Sequence, residues 1–134
     1  MMGIEDARRI VAVAEAAAER NGQPLNIAVV DQGGHLVMHV RMNGARRASA
    51  QIAIDKAWTA AVCEIDTKEF AVTAAPGGPF YGLHTTHGGR IVIFGGGVPL
   101  VRDGIVVGGI GVSGGSADQD VAVAEAGAAA FQGA

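Results

Sequence analysis

Two histidines three residues apart, His84 and His87, are the side chains in this sequence best suited to chemistry. The surrounding glycines, prolines and threonines predict an irregular loop. Imidazole nitrogens bind metal ions or haem iron, and they exchange protons near neutral pH. Both histidines are therefore candidate catalytic groups and candidate metal ligands. An H-x-x-H spacing lacks a third ligand, and because Cys63 is the only cysteine, a structural zinc site is not favoured.

Two glycine-rich segments supply a second set of candidates. Gly95-Gly96-Gly97 lacks the Lys-Ser/Thr pair of a P-loop, but such a triplet lets the backbone bend or approach a ligand closely. Ser113-Gly114-Gly115 lies between an apolar strand and a helix, where backbone N–H groups can bind a carboxylate or a phosphate. The alternative is that these glycines only permit tight bends. The candidate ligand-binding positions are Gly96, Gly97, Ser113 and Gly114.

Two common motifs overlap the second of these segments, and neither has the context that it requires. Residues 109–114 match G-x-G-x-x-G, but a dinucleotide fold needs a following parallel strand and an acidic residue, and only one helical segment follows here. Residues 111–115 match the G-x-S-x-G of α/β-hydrolases, which needs a histidine downstream of the serine. No histidine follows Ser113. Neither class of enzyme is indicated.

Hydrophobic periodicity predicts the elements that position these candidates. It predicts helices over residues 4–21, 45–65 and 66–75 and from residue 116, and strands over residues 25–30, 35–41, 90–94, 98–101 and 105–112. Short links between successive strands favour antiparallel pairing. The predicted fold is α+β, a five-stranded antiparallel sheet with helices packed on it, in the order α-β-β-α-α-β-β-β-α.

Local signals are strongest in the last third of the chain. Asp103-Gly104 separates two β-branched runs and predicts a hairpin with a type I′ turn. Ser116 with Gln119 three residues later predicts a capping box at the start of the last helix. This strand, turn, strand, glycine break and helix unit is expected to shape the ligand pocket.

Composition limits the partners of the protein. A chain of 134 residues is expected to form one domain, residues 1–134. Its net charge of −3 offers no basic surface for a nucleic acid, and no apolar run approaches the about 20 residues that span a membrane. Charged residues make up 17%, against about 25% in typical soluble domains, which favours a homo-oligomer. Acidic residues near the N-terminus interrupt any signal peptide, and a cytoplasmic location is expected.

Several segments together resemble one family. The sequence is similar to the GlcG/HbpS family, which includes the C-terminal domain of PduO, and the similarity covers nearly the whole chain. It implies a five-stranded antiparallel sheet with packed helices, assembled into dimers or higher oligomers. Asn43 stands where the family motif RMDGA has aspartate. The segments that carry the resemblance are Val30-Asp-Gln-Gly-Gly-His-Leu-Val37, Arg41-Met-Asn-Gly-Ala45, Ile54-Asp-Lys-Ala-Trp-Thr-Ala60, Gly96-Gly-Val-Pro-Leu100, Asp103-Gly-Ile-Val-Val-Gly108 and Gly111-Val-Ser-Gly-Gly115.

Two functions are compatible with these residues. In the first, the protein binds a planar anionic small molecule, and the resemblance implies haem as the possible cofactor; His84 or His87 approaches the iron, and Arg41, Lys56 or glycine amides bind its carboxylates. In the second, it is a small lyase, isomerase or hydratase acting on an organic acid. There the histidines move protons while Arg41 or Lys56 holds the carboxylate.

Overall fold

The computed structural model describes residues 1–133, which form four helices and a four-stranded antiparallel sheet. The strand order in the sheet is β2-β1-β4-β3. Short 3-10 turns cover Thr67–Glu69, Leu83–Thr85 and His87–Gly89. The elements are α1 (Ile4–Arg20), β1 (Asn26–Asp31), β2 (Leu36–Arg41), α2 (Ala48–Cys63), α3 (Phe70–Thr73), β3 (Gly97–Arg102), β4 (Ile105–Ser113) and α4 (Ala117–Gln132).

The prediction of a five-stranded sheet is wrong, because residues 90–94 do not join the sheet. Their backbone bonds to side chains instead. The Thr59 hydroxyl of α2 donates to the Arg90 carbonyl at 3.3 Å and accepts from the Val92 N–H at 3.1 Å. The Phe94 carbonyl accepts a 2.7 Å bond from the Thr67 hydroxyl. These threonine hydroxyls take hydrogen-bonding positions that a neighbouring strand would otherwise fill, and Ile91 of the segment is buried without joining the sheet.

The sheet is covered on both faces. Helices α1 and α4 pack on one face, where they enclose the larger cluster of buried side chains, including Ile10, Ile110, Val112 and Phe131. Helix α2 packs on the other face through a smaller cluster of Ala28, Val30, Ala53, Ala57 and Ala61. The side chains between α2 and the sheet are small, so α2 packs closely on the sheet.

Glycines in β4 make this close approach possible. A Cβ added to Gly109 would overlap the carbonyl oxygen of Ala57, and one added to Gly111 would overlap that of Ala53. The intervening Ile110 points to the opposite face, as alternation along a strand requires. The G-x-G spacing in β4 thus serves helix–sheet packing.

The hairpin and the final helix follow the local signals. Asp103 and Gly104 both have positive φ, 53° and 76°, as a type I′ turn demands. The Ser116 hydroxyl accepts from the Gln119 N–H at 3.2 Å, and the Gln119 side chain accepts from the Ser116 N–H at 2.9 Å. The predicted turn and capping box are confirmed. Within residues 1–133, no helix has both the length and the apolar character needed to cross a membrane.

Candidate functional site

The loop between α3 and β3 carries both candidate histidines. It folds back on α3 through a 2.8 Å bond from the Phe80 N–H to the Thr73 carbonyl. Ile91 anchors its far end by burial against Phe70 and Ala74, and Leu83 packs on the same cluster. The two 3-10 turns that contain His84 and His87 are therefore held on the surface of the α2 side of the molecule.

The hydrogen bonds around His87 favour one tautomer of its ring. The Thr86 hydroxyl donates to the Leu83 carbonyl at 2.7 Å, so its oxygen has only lone pairs to offer to the His87 Nδ1 at 3.0 Å. The tautomer that satisfies both bonds has the proton on Nδ1 and the lone pair on Nε2. Because the His87 side chain is exposed, Nε2 is available as a metal ligand or as a proton acceptor.

Trp58 contacts both the imidazole of His87 and the guanidinium of Arg90. The His87 ring lies edge-on to the indole of Trp58, with ring centroids 5.5 Å apart. The guanidinium of Arg90 lies over the same indole, 4.6 Å from its centroid, and its Nε donates to Asp55 at 3.1 Å. One residue of α2 thus brings an imidazole and a guanidinium together on the surface.

His84 has a different environment. Its Nδ1 is buried and, among the described residues, is the one buried side-chain nitrogen or oxygen without a hydrogen-bond partner. Its ring lies edge-on to that of Tyr81, with centroids 5.9 Å apart. A buried polar atom without a hydrogen bond lowers the stability of the folded protein by about 1–3 kcal/mol. Such an atom calls for an explanation, and a water, an ion or a ligand that bonds to it is one.

Exposed aromatic side chains surround the histidines in sequence. Phe80, Tyr81 and Phe94 are 58%, 63% and 48% exposed, although the whole chain has only six aromatic residues. Large aromatic groups normally dominate a core or an interface. Their exposure here leaves apolar area available for a flat ligand or for another protein surface.

Lys56 is enclosed in the protein. Its side chain has no solvent exposure, its Nζ donates to the Val112 carbonyl at 2.8 Å, and it forms an ion pair with Asp120 at 3.2 Å. Burial lowers the pKa of Lys56, while the Asp120 carboxylate opposes part of that shift. Nζ also lies 5.0 Å from the centroid of the Phe94 ring. These contacts join α2, β4 and α4 in the interior.

The Gly95–Gly97 segment is packed against this ion pair. The carbonyl of Gly96 accepts from the Val112 N–H at 2.9 Å, and Gly97 donates its N–H to the Thr67 hydroxyl at 2.9 Å. A Cβ on Gly96 would lie 2.7 Å from Lys56 Nζ. These glycines make room for the lysine, and the N–H of Gly97 already has a protein acceptor.

The Ser113–Gly115 bend is tied to the same pair. Gly115 donates its N–H to the second carboxylate oxygen of Asp120 at 3.0 Å. Ser113 is buried, with 4% of its surface exposed, and Gly114 has a φ of 130°. The carboxylate of Asp120, at the start of α4, therefore occupies the backbone N–H of Gly115, which would otherwise be free to bind the anion of a ligand.

Arg41 lies apart from the histidines. It lines a cleft of about 350 Å³ together with Glu15, Glu19, Val40, Met42 and Asn43. Trp58, which contacts His87, packs against Gly34. Gly34 precedes the first residue of β2, Leu36, whereas Arg41 is the last residue of that strand. The five-residue step from Leu36 to Arg41 along a strand spans about 17 Å. Arg41 and His87 therefore do not meet within one chain.

A larger cleft of about 450 Å³ contains none of the predicted site residues; it is lined by Met1, Met2, Asp31, Gln32, Gly33, His35 and Val107. Sequence reasoning also did not place Trp58, Thr86 and Arg90 next to His87, where the structure has them. Arg90 is three positions from His87 along the chain, and this short separation could have indicated that the two side chains lie near each other. For Trp58 no such signal exists, because its contact with His87 arises only when the loop folds onto α2.

Comparison with known proteins places the chain in a family. Residues 2–129 match the model of the family described as haem degrading protein HbpS-like. An uncharacterised 15.0 kDa protein from the dhaT-dhaS intergenic region of Citrobacter freundii is 40% identical over 119 residues, which are 89% of this chain and 84% of that protein. The corrinoid adenosyltransferase PduO of the same organism is 36% identical over 130 residues, or 97% of this chain.

The match to PduO spans only 39% of that longer protein. Among solved structures, a PduOC:heme complex is 36% identical, with a TM-score of 0.92 over 96% of this chain and 94% of that one. This similarity holds for sequence and for three-dimensional structure over nearly the same residues. The chain therefore belongs to the HbpS-like family, and the GlcG/HbpS resemblance is confirmed.

Proposed function

We propose that this protein binds haem, or a closely related planar anionic ligand, and that the imidazole of His87 would hold the iron. The observation that carries the proposal is the hydrogen-bond chain from His87 Nδ1 through Thr86 to the Leu83 carbonyl, which leaves the Nε2 lone pair free at the surface. Haem iron is commonly held by a neutral imidazole whose other nitrogen is hydrogen-bonded.

The surroundings of His87 fit such a ligand. Trp58 is beside it, and the exposed ring of Tyr81 lies beside the second histidine, His84. The family description and the haem complex of a relative with a TM-score of 0.92 support the same class of ligand. His84 is the second candidate ligand, since its Nδ1 lacks a protein partner.

A haemin titration followed by absorbance tests this proposal. The variant His87→Asn is expected to lose the shifted Soret band and to bind haemin at least 10-fold more weakly, because asparagine supplies no imidazole. Asparagine is chosen because His87 has a φ of 54°, a value that it tolerates, and the free energy of unfolding should change by no more than about 0.5 kcal/mol.

Two further variants make the titration decisive. His35→Asn, at the exposed β1–β2 turn, is the matched control and should bind haemin like the unmodified protein. His84→Asn distinguishes the two candidate ligands, because a larger loss there than in His87→Asn would transfer the role to His84. Wild-type affinity in both variants would contradict ligation from this loop.

The alternative function, acid–base catalysis on a small organic acid by His84 or His87, has less support. The two cations that the sequence offered as anchors for its carboxylate do not lie beside the histidines, and the guanidinium beside His87 is that of Arg90. Lys56 is enclosed and paired with Asp120, and Arg41 lines a cleft at the other end of β2. Of the two proposed anchors, neither is available to a substrate at His87 within one chain.

The protein is also proposed to be a cytoplasmic homo-oligomer. The support is the low fraction of charged residues, 17%, and the exposure of large apolar side chains such as Leu36, Val72 and Ile105, at 51%, 76% and 58%. The unpaired Cys63 is compatible with a reducing compartment. Light scattering at micromolar concentration should give a mass that is a multiple of 13.5 kDa, and a monomer mass would contradict the assembly.

A further inference from the structure

Arg90 is placed beside His87 by contacts with α2. Its Nε donates to Asp55 Oδ1 at 3.1 Å, and its guanidinium carbon lies 4.6 Å from the centroid of the Trp58 ring. Asp55 also accepts from Gln51 at 3.0 Å, which holds the carboxylate in place. The Arg90 side chain is 39% exposed, so it is oriented by the protein while part of it faces solvent.

The contact through Nε leaves most of the guanidinium available. Arginine has five N–H donors in a planar fork, and Nε carries only one of them. Among the described residues, the hydrogen bond given for the Arg90 side chain is the one that Nε donates. Such a fork binds a carboxylate through two parallel hydrogen bonds, and stacking on an aromatic ring preorganises it for that geometry.

The imidazole and the guanidinium are close enough to act on one ligand. Each lies within 5.5 Å of the Trp58 ring, so the two groups are separated by no more than about 10 Å. A ligand with a metal centre and peripheral carboxylates presents both complementary groups on one molecule. The arrangement also explains how an anion can be bound here without Arg41 or Lys56.

We propose that Arg90 binds a carboxylate of the ligand held by His87, and that it makes the site specific for the free acid over neutral forms of the same ring system. This inference rests on the proposed haem-binding function. It assigns the anion contact to a side chain oriented by Asp55 and Trp58, and it predicts that binding depends on the carboxylates of the ligand.

The test compares haemin with haemin dimethyl ester, whose carboxylates are blocked, in absorbance titrations of the full chain. Arg90→Gln is expected to bind haemin at least 10-fold more weakly than the unmodified protein. Its affinity for the dimethyl ester and the Soret position of the bound form should be unchanged, because His87 remains. Arg47→Gln, an exposed arginine at the start of α2, is the matched control and should affect neither titration.

The outcomes separate this inference from the proposed function. Equal haemin affinity in Arg90→Gln and the unmodified protein would overturn the role of Arg90 and leave haem binding intact. Equal weakening toward haemin and its ester would also overturn it, since Arg90 would then act only by packing on Trp58. If the unmodified protein binds neither compound, the proposed haem function itself fails, and this inference fails with it.

Discussion

Replacement of Lys56 by methionine is expected to lower the free energy of unfolding by about 3–5 kcal/mol. The side chain is fully enclosed, and its ammonium group forms an ion pair with Asp120 at 3.2 Å. Methionine fills a similar volume, but it leaves the carboxylate of Asp120 without a cation. Asp120 is buried, with 4% of its surface exposed. The Val112 carbonyl loses a 2.8 Å donor at the same time. Denaturant unfolding at a fixed protein concentration measures the change.

A double variant tests whether the loss comes from the unpaired charge. Lys56→Met with Asp120→Asn removes both charges, and the asparagine oxygen can still accept from the Gly115 N–H. This variant should recover most of the stability lost by Lys56→Met alone, because removing a complete buried ion pair costs less than breaking it. A loss below about 1 kcal/mol in Lys56→Met would show that the lysine is hydrated in solution.

Gly111→Ala is expected to destabilise the protein by about 3 kcal/mol or to prevent folding, because overpacking against backbone is not relieved by a rotamer change. The added Cβ would overlap the carbonyl oxygen of Ala53, and it would also meet the N–H of Ala57. Both obstacles belong to the backbone of α2. The helix would have to move away from the sheet, with loss of contacts along its whole buried face.

Gly3→Ala is the control for this substitution. Gly3 precedes α1 with an extended φ of −115°, and the nearest atom to an added Cβ is Asp6 Oδ2 at 3.8 Å. Alanine at this helix cap should cost no more than about 1 kcal/mol. Thermal or denaturant unfolding compares the two variants, and a similar small effect for both would contradict the close packing of α2 on β4.

Part of the candidate site could be predicted from the sequence. The irregular loop with His84 and His87 was predicted from its glycine and proline content, and the structure places both histidines there. Their role as ligands stays a prediction. The direction of the free lone pair on His87 could not be predicted, because it depends on a hydroxyl that is itself committed to the Leu83 carbonyl.

The basic candidates illustrate a limit of composition and periodicity. Lys56 lies on the Ala-rich stripe of α2, a position at which a lysine usually extends to solvent. In this fold the glycines at positions 96 and 97 and the carboxylate of Asp120 create an interior place for it. Asp120 is 64 positions further along the chain. No local pattern relates two residues at that separation.

The strand over residues 90–94 was predicted because β-branched residues there resemble those of β3 and β4. Strand propensity states that a segment suits an extended and partly buried backbone, and Ile91 of this segment is indeed buried. Whether it joins a sheet depends on a free edge and on competing partners. Here the hydroxyls of Thr59 and Thr67 form hydrogen bonds with backbone groups of this segment, in place of a neighbouring strand.

The sequence by itself determined the features that depend on neighbouring residues: the type I′ turn at Asp103-Gly104, the capping box at Ser116 and the periodic helices α1 and α2. Turns, caps and amphipathic faces involve hydrogen bonds or contacts within about four residues, so their energies are present in any short segment. Tertiary structure alone decided the number of strands, the burial of Lys56 against Asp120, and the meeting of His87 and Arg90 on Trp58. Those features arise only when distant segments compete for the same partners, and the outcome depends on which packing leaves the fewest buried polar groups unpaired.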